Sequence, residues 1–179
     1  MAYSNPTGLP SPSDVLRPWI DASFFTDESR ERGSRVHDAC ANHLLGQYVL
    51  IDRQYRGYFD SFKRWCDAEK PEPILVEKRL SCDTYGFCGQ PDLVCKIKSK
   101  PGIGVPDLKT SVALGKAWPL QVAAYRHLTD QSLACKATWG SSLRLKSDGS
   151  YPLVGFYQRF ETDLNMFLSA LNLYRHFNK

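Results

Sequence analysis

Two acidic residues and a lysine near the middle of this 179-residue chain have the types and spacing needed for phosphodiester hydrolysis. Asp92 closes the run GQPD, and the triplet Asp107-Leu108-Lys109 begins 15 residues further on. Alternate residues of a strand share a face, so Asp107 and Lys109 would point to one side and Leu108 to the other. Two carboxylates with a backbone carbonyl and waters suit Mg²⁺ or Mn²⁺, and the lysine would place positive charge beside a phosphate. An ordinary surface ion pair between Asp107 and Lys109 is the alternative.

Further side chains of useful type stand before and after this pair. His37 lies within a helical stretch, and imidazole is a good ligand for Mn²⁺-type metals, although a lone helical histidine is more often structural. Gln121 and Tyr125 are four residues apart and therefore share one face of a helix. Both could bind phosphate oxygens or orient the lysine, or they could simply cap a core face.

Hydrophobic periodicity predicts the elements that would position these residues. Helices are expected over residues 14–20, 28–47, 53–69, 118–129 and 160–177, and strands over 74–80, 87–97, 103–110, 136–145 and 151–158. In the second strand, apolar Leu93, Cys95 and Ile97 alternate with a charged face that carries Asp92. The order of elements is typical of a mixed α/β domain. We expect a single domain over 1–179, with a lead-in and short helix at 1–28, helices at 28–70 and a sheet core at 73–179.

Composition sets broad limits on the class of protein. The formal net charge of +4 would tolerate an anionic partner without proving one. No run of about 18 apolar residues predicts a membrane span, and the N-terminus lacks the basic and apolar regions of a secretory signal, so a cytoplasmic location is expected. The six cysteines form no C-x-x-C pair and are expected to be reduced, mostly buried thiols.

Taken together, these motifs resemble the PD-(D/E)XK nuclease superfamily, and within it the RecB-like and phage-type exonuclease branch. Pro91-Asp92 and Asp107-Leu108-Lys109 match the motif that names the superfamily, and residues 89–92 match the G-x-x-D strand of the branch. Residues 33–37 (GSRVH) resemble its helical histidine motif, and residues 120–125 (LQVAAY) resemble its Q-x-x-x-Y helix. Residues 9–16 (LPSPSDVL) resemble a Pro-Ser segment common in phage members.

The resemblance implies a restriction-endonuclease-like core, with a central mixed sheet of about five strands flanked by helices. It also implies a metal-dependent deoxyribonuclease, and specifically an exonuclease of phage recombination or replication that works in the bacterial host cytoplasm. In that case Lys109 is the catalytic lysine, and Gln121 and Tyr125 orient it or contact the substrate. The implied ligands of one or two Mg²⁺ or Mn²⁺ ions are His37, Asp92, Asp107 and the backbone carbonyl of Leu108.

Two further implications concern Glu77 and the cysteines. Glu77 occupies a place where relatives often carry an acidic residue, although pairing with Lys78 or Arg79 explains it equally well. Some relatives bind an iron–sulfur cluster through one cysteine before the histidine motif and three near the C-terminus. Here no cysteine precedes His37 and none follows Cys135, so no iron–sulfur cluster is expected.

Contacts to DNA beyond the metal are predicted from charge and from one aromatic residue. Three arginines begin the His37 helix, and three lysines are expected on the strand face of Asp92; each set could neutralise phosphates or be a solvated surface. The arginines are Arg30, Arg32 and Arg35, and the lysines are Lys96, Lys98 and Lys100. Trp118 could stack on a base or wedge a duplex end, but a core tryptophan is the better expectation.

Two alternatives to an exonuclease stay open. A structure-specific or nicking endonuclease would use the same residues but would also cut a covalently closed circle. A non-catalytic DNA-binding accessory protein of recombination would keep the fold without turnover, although such proteins usually lose an acid or the lysine. DNA is the expected partner in each case, and a homo-oligomer or a recombination partner protein is possible.

Overall fold

The computed structural model describes residues 8–20 and 26–178 of the chain. Parts of the predicted lead-in, namely residues 1–7 and 21–25, lie outside the described residues, as does residue 179. The helices are α1 (Pro12–Leu16), α2 (Asp27–Leu44), α3 (Arg56–Glu69), α4 (Trp118–Leu133) and α5 (Phe160–Phe177). The strands are β1 (Glu72–Val76), β2 (Leu80–Cys82), β3 (Phe87–Gly89), β4 (Leu93–Ile97), β5 (Lys100–Lys109), β6 (Ala137–Arg144) and β7 (Leu153–Tyr157).

A five-stranded mixed sheet of order β1-β4-β5-β6-β7 forms the centre of the domain. Strands β4 and β5 form an antiparallel hairpin, β5 and β6 run parallel with α4 as the crossover, and β6 and β7 are antiparallel. Strands β2 and β3 pair in a separate two-stranded sheet. The predicted mixed α/β class, with a five-stranded mixed sheet flanked by helices, is therefore confirmed, and the arrangement is consistent with a restriction-endonuclease-like core.

Two of the predicted strands are interrupted in the structure, and both breaks lie beside the candidate site. The strand predicted over 74–80 ends at Val76, because Glu77 adopts a left-handed backbone with φ 46°. The strand predicted over 87–97 is divided into β3 and β4 around Pro91, which has no N–H with which to continue a ladder. The two breaks meet, since the Glu77 N–H donates to the Asp92 carbonyl at 3.1 Å.

Hydrophobic cores lie on both faces of the sheet. One face of β4, with Leu93 and Cys95, packs in the core that α2 and α3 cover, while Val94 packs in the opposite core with residues of α4 and α5. The expectation of one apolar and one charged face on β4 is therefore wrong, and Lys96 is the exposed residue of this strand. A strand with neighbours on both sides and helices over both faces buries both sets of side chains.

Helix boundaries follow local signals. The predicted helix at 28–47 is α2, which begins where the Thr26 side chain accepts a hydrogen bond from the Ser29 N–H and ends at Leu44. The helix predicted at 118–129 continues to Leu133, and the one predicted at 160–177 is α5 without change. The lead-in helix is α1, continued by a 3-10 turn over Arg17–Trp19. Within residues 8–20 and 26–178, no helix has the length and hydropathy required to cross a membrane.

The loop between β6 and β7 packs against α3, and this contact requires a glycine. Arg64 Nε donates to the Gly149 carbonyl at 2.8 Å, and the Lys146 N–H donates to Ser61 Oγ at 3.2 Å. A Cβ at Gly57 would lie 1.7 Å from the backbone oxygen of Ser147. The loop and α3 can approach this closely only because residue 57 has no side chain.

Two glycine-to-alanine variants in helices should therefore have opposite effects on stability. Gly33, in α2, has no atom within 4 Å of its Cβ position, so Gly33→Ala should raise the free energy of unfolding by about 0.5–1 kcal/mol through helix propensity. Gly57→Ala should lower it by about 1–3 kcal/mol through overpacking against the loop. Urea denaturation followed by far-ultraviolet circular dichroism measures both, and shifts of the same sign would contradict the contact between α3 and the loop.

Candidate functional site

Asp107 and Lys109 lie at the C-terminal end of β5, on the sheet face covered by α4. Their shared orientation follows from the alternation of the strand, since Leu108 between them packs in the core under α2 and α3. The Asp107 side chain is 2% exposed, and its Oδ2 lies 2.5 Å from Lys109 Nζ. The predicted common face of these two residues is confirmed, and their ion pair is buried, not on the surface.

Asp92 reaches this point from the bend that precedes β4. Its Oδ2 accepts a hydrogen bond from the Leu108 N–H at 2.6 Å, and its Oδ1 lies 3.1 Å from His37 Nδ1. Its side chain is only 11% exposed. The antiparallel pairing of β4 and β5 thus brings Asp92 to the Asp107-Leu108-Lys109 segment, as the hairpin hypothesis predicts.

His37, Glu77 and Asp92 form a cluster whose nitrogen and oxygen ligand atoms all lie within 4.8 Å of one another. Helix α2 supplies the histidine, and Glu77 follows β1 directly, with its Oε1 at 3.8 Å from His37 Nδ1. Gln90 Nε2 donates to Glu77 Oε2 at 2.7 Å and so orients this carboxylate. Glu77 therefore points to His37 and Asp92.

Helix α4 holds the ammonium group of Lys109 from the other side. Lys109 Nζ donates to Gln121 Oε1 at 3.0 Å, and Gln121 Nε2 donates to the Tyr125 hydroxyl at 3.2 Å. The same amide nitrogen donates to Ser13 Oγ of α1 at 3.4 Å. Because Gln121 and Tyr125 are one helical turn apart, Gln121 can contact both the Tyr125 hydroxyl and Lys109, which forms a chain of two hydrogen bonds.

The protonation equilibria of the site reflect burial and neighbouring charge. Burial raises the pKa of Asp107 to about 6, with Lys109 opposing the increase and Asp92 adding to it. Burial also acts to raise the pKa of Asp92, but the charges of His37 and Lys109 outweigh it, so the pKa is lowered. Burial acts to lower the pKa of His37, yet Asp92 and Glu77 raise it well above its ordinary value. The positive charges of Lys109 and His37 therefore offset the negative charges of the acidic side chains around them.

The donor set fits a hard divalent cation. Carboxylate oxygens and one imidazole nitrogen converge at His37, Glu77 and Asp92, and such ligands suit Mg²⁺ or Mn²⁺. Asp107 Oδ2 is buried and lies 2.5 Å from Lys109 Nζ, so a second carboxylate of the site is paired with the lysine. The role of the Leu108 carbonyl as a ligand stays a prediction.

The predicted DNA-contacting residues lie in different places. Arg30 pairs with Asp27 at 3.3 Å, Arg35 lies near Glu31 and Asp52 at 3.8 and 3.9 Å, and the Arg32 guanidinium lies 5.7 Å from the ring centroid of Tyr58. These arginines are on α2, the helix that carries His37.

The expectation that Lys96, Lys98 and Lys100 share a strand face with Asp92 is wrong. Asp92 precedes β4, Lys98 lies in the turn after it, and Lys100 begins β5, where its Nζ is 4.4 Å from the ring centroid of Phe156. Strand rise places Lys100 roughly 30 Å along β5 from Lys109. Contact of Lys100 with DNA would therefore be distant from Lys109, while DNA contacts of Lys96 and Lys98 stay predictions.

Three further residues lie beside the site, and of these the sequence suggested a possible role there for Trp118 alone. Arg144 of β6 is in parallel register with Lys109, a pairing that hydrophobic patterning does not encode. Gln90 lies inside the GQPD run, and this position was the one sequence feature that could have indicated its contact with Glu77. Trp118 is half-buried and belongs to neither core, and Lys109 Nζ lies 5.7 Å from its ring centroid. The expectation of a core tryptophan is therefore wrong, because the helix begins beside the site and not over the middle of the sheet.

Comparison with known proteins gives weak structural similarity and no match to a family or a curated sequence. No protein-family model matches the chain, and no curated protein sequence matches it. The crystal structure of LHK-Exo in complex with dAMP is similar over 97% of this chain and 92% of that one, with 14% sequence identity and a TM-score of 0.36. These values do not establish a shared function.

The buried ion pair between Asp107 and Lys109 predicts a compensating pair of substitutions. Lys109→Met should lower the free energy of unfolding by about 3 kcal/mol, because it leaves the buried Asp107 carboxylate without its cation. Adding Asp107→Asn should restore most of the loss by removing that charge. Urea denaturation in EDTA measures both, with Lys136→Met at an exposed position as the matched control. A double variant as unstable as Lys109→Met would show that the loss comes from packing and not from charge.

Proposed function

We propose that this protein is a metal-dependent deoxyribonuclease that hydrolyses phosphodiester bonds. The observation that carries the proposal is the meeting of Asp92, Asp107 and Lys109 at one end of β5, with Asp92 bound to the Leu108 N–H and Lys109 held between Asp107 and Gln121. Buried carboxylates beside a positioned ammonium group are the equipment that metal-assisted phosphoryl chemistry needs. A structural ion pair alone would not require His37 and Glu77 at the same place.

The acidic residues would hold the metal. Asp92 and Asp107, with His37 and the Leu108 carbonyl, are the proposed ligands, and Glu77 is a further one because it lies in the cluster with His37 and Asp92. Bound Mg²⁺ or Mn²⁺ would supply a more acidic water and would neutralise charge that develops on the phosphate. The Asp92 carboxylate is held in a fixed orientation, since its Oδ2 accepts from the Leu108 N–H while its Oδ1 faces His37.

Lys109 would act on the phosphate or on the attacking water. Its ammonium group keeps one N–H donor after contacting Asp107 and Gln121, because Lys carries three. Gln121 and Tyr125 are positioning residues, since they reach the reacting atoms only through Lys109. Burial raises the pKa of Tyr125, and its neutral hydroxyl accepts the hydrogen bond from Gln121.

The proposed mode is exonucleolytic, on DNA ends, in phage-type recombination or replication. The support for this mode is the resemblance of the GSRVH, GQPD, DLK and LQVAAY motifs to the phage-type exonuclease branch. A net charge of +4 is compatible with a polyanionic substrate. Arg30, Arg32 and Arg35 on α2 are the proposed contacts to backbone phosphates.

Cleavage assays test the function and its mode. The protein should release nucleotides from linear DNA with Mg²⁺ or Mn²⁺, leave covalently closed circles intact and be inactive in EDTA. Asp107→Asn and Lys109→Met should each reduce the rate roughly 10²–10³-fold, because each removes a group that stabilises the transition state. Lys136→Met, at an exposed position between α4 and β6, should cleave like the wild type. Wild-type cleavage by Asp107→Asn would refute the proposal, and cleavage of circles would replace the exonuclease with an endonuclease.

Direct metal binding separates the ligands from the lysine. In isothermal titration with Mn²⁺, Asp92→Asn should weaken binding about tenfold or more, because it removes a charged ligand. Lys109→Met should bind Mn²⁺ at least as tightly as the wild type, since it removes a cation next to Asp107. Equal Mn²⁺ affinity of the wild type and Asp92→Asn would contradict the assignment of this carboxylate as a ligand.

A further inference from the structure

The segment that joins β5 to α4 presents apolar side chains beside the site. Residues 110–117 directly follow Lys109, and within them Val112 is 89% exposed and Leu114 is 75% exposed. Exposed aliphatic residues are common singly on protein surfaces, but two of them next to a buried polar site call for an explanation. Neither side chain belongs to a hydrophobic core, so neither stabilises the fold through burial.

Specific hydrogen bonds hold this segment. Arg144 Nη1, from the strand in register with Lys109, donates to the Val112 carbonyl at 2.8 Å. The Ser111 hydroxyl donates to the Ala113 carbonyl at 3.1 Å, and the Trp118 N–H donates to the Gly115 carbonyl at 3.2 Å. The apolar side chains therefore project from a backbone that is anchored to the sheet and to α4.

Trp118 joins the segment to the lysine. A Cβ at Gly115 would lie 2.2 Å from the indole Nε1, so the ring packs directly on the glycine backbone. Lys109 Nζ lies 5.7 Å from the centroid of the same ring. An indole next to the proposed phosphate-contacting ammonium is in reach of the base attached to that phosphate through its sugar.

We propose that Trp118, Val112 and Leu114 form a nucleobase-binding surface for the nucleotide adjacent to the scissile phosphate. The proposal rests on the nuclease function proposed above and names the part of the substrate that this surface contacts. Stacking on an aromatic ring tolerates every base, so the surface would add affinity and register without sequence preference. Two aliphatic side chains and part of an indole are far smaller than the roughly 800 Å² per partner of a stable protein interface, which favours a base over a second copy of the chain.

The experiment compares DNA that carries a base with DNA that lacks one. Labelled linear DNA with an abasic analogue at each of the three terminal nucleotides in turn is titrated with the 179-residue protein in Ca²⁺, and binding is followed by fluorescence anisotropy. Wild-type protein should bind DNA with one particular abasic position roughly tenfold more weakly than intact DNA. Trp118→Ala should bind intact DNA as weakly as that abasic DNA and should lose the difference between them. Trp118→Phe, which keeps a stacking ring, should retain most of it.

A second variant protects the test against a folding defect at Trp118. The double variant Val112→Ser, Leu114→Ser changes only exposed side chains, so its free energy of unfolding should equal that of the wild type. It should reduce the preference for the intact base several-fold. Leu173→Ser on α5, where the leucine is 50% exposed, is the matched control and should behave as wild type.

The outcomes distinguish this surface from the nuclease function. An unchanged preference for the intact base in both Trp118→Ala and the double serine variant, with DNA cleavage intact, would overturn the surface alone. If the protein never cleaves DNA, but the variants abolish its preference for the intact base, the result would support the nucleobase-binding surface and contradict the nuclease function. Concentration-dependent self-association that the double serine variant abolishes would assign the surface to a second copy and overturn the proposal.

Discussion

The hydrogen bond from the Leu108 N–H to the Asp92 carboxylate is the interaction on which the site depends. Pro91 and Asp92 precede β4 and lie outside its ladder with β5, so the Leu108 N–H has no backbone partner from that ladder. A buried N–H must then find another acceptor. Asp92 Oδ2 fills that role at 2.6 Å. Because the Leu108 side chain is packed under α2 and α3, core packing determines where the carboxylate lies.

This bond brings together groups from both sides of the sheet. Asp107 and Lys109 face α4, while His37 comes from α2 on the opposite side and meets the same carboxylate at 3.1 Å. Burying several acidic groups in one place is unfavourable by itself, and the raised pKa of Asp107 reflects this cost. Lys109 and His37 offset it, and the hydrogen bond to Gln121 holds the lysine in position. The fold thus maintains a charge arrangement that would be hard to explain as a stabilising feature.

The sequence predicted where helices and strands lie better than it predicted where strands are interrupted. Periodicity located every long helix and the β6–β7 hairpin, and α5 was predicted with its observed bounds. The motif residues Asp92, Asp107, Lys109 and Gln121 were predicted to converge, and they do. The break at Glu77 was missed because a left-handed backbone at a non-glycine residue depends on its tertiary contacts with His37 and Gln90. The places of Arg144 and Trp118 depend on a parallel register and on helix packing, neither of which local patterns record.

The central claim is that a divalent metal held by these carboxylates contacts the scissile phosphate. A linear DNA with sulfur in place of one non-bridging oxygen at that phosphate tests it most directly, because Mn²⁺ accepts sulfur as a ligand more readily than Mg²⁺ does. Cleavage of one sulfur diastereomer should be slow in Mg²⁺ and should recover in Mn²⁺, while unmodified DNA is cleaved with either ion. Cleavage of the unmodified DNA at the same rate in EDTA would contradict the claim. So would a failure to cleave the unmodified DNA with either Mg²⁺ or Mn²⁺.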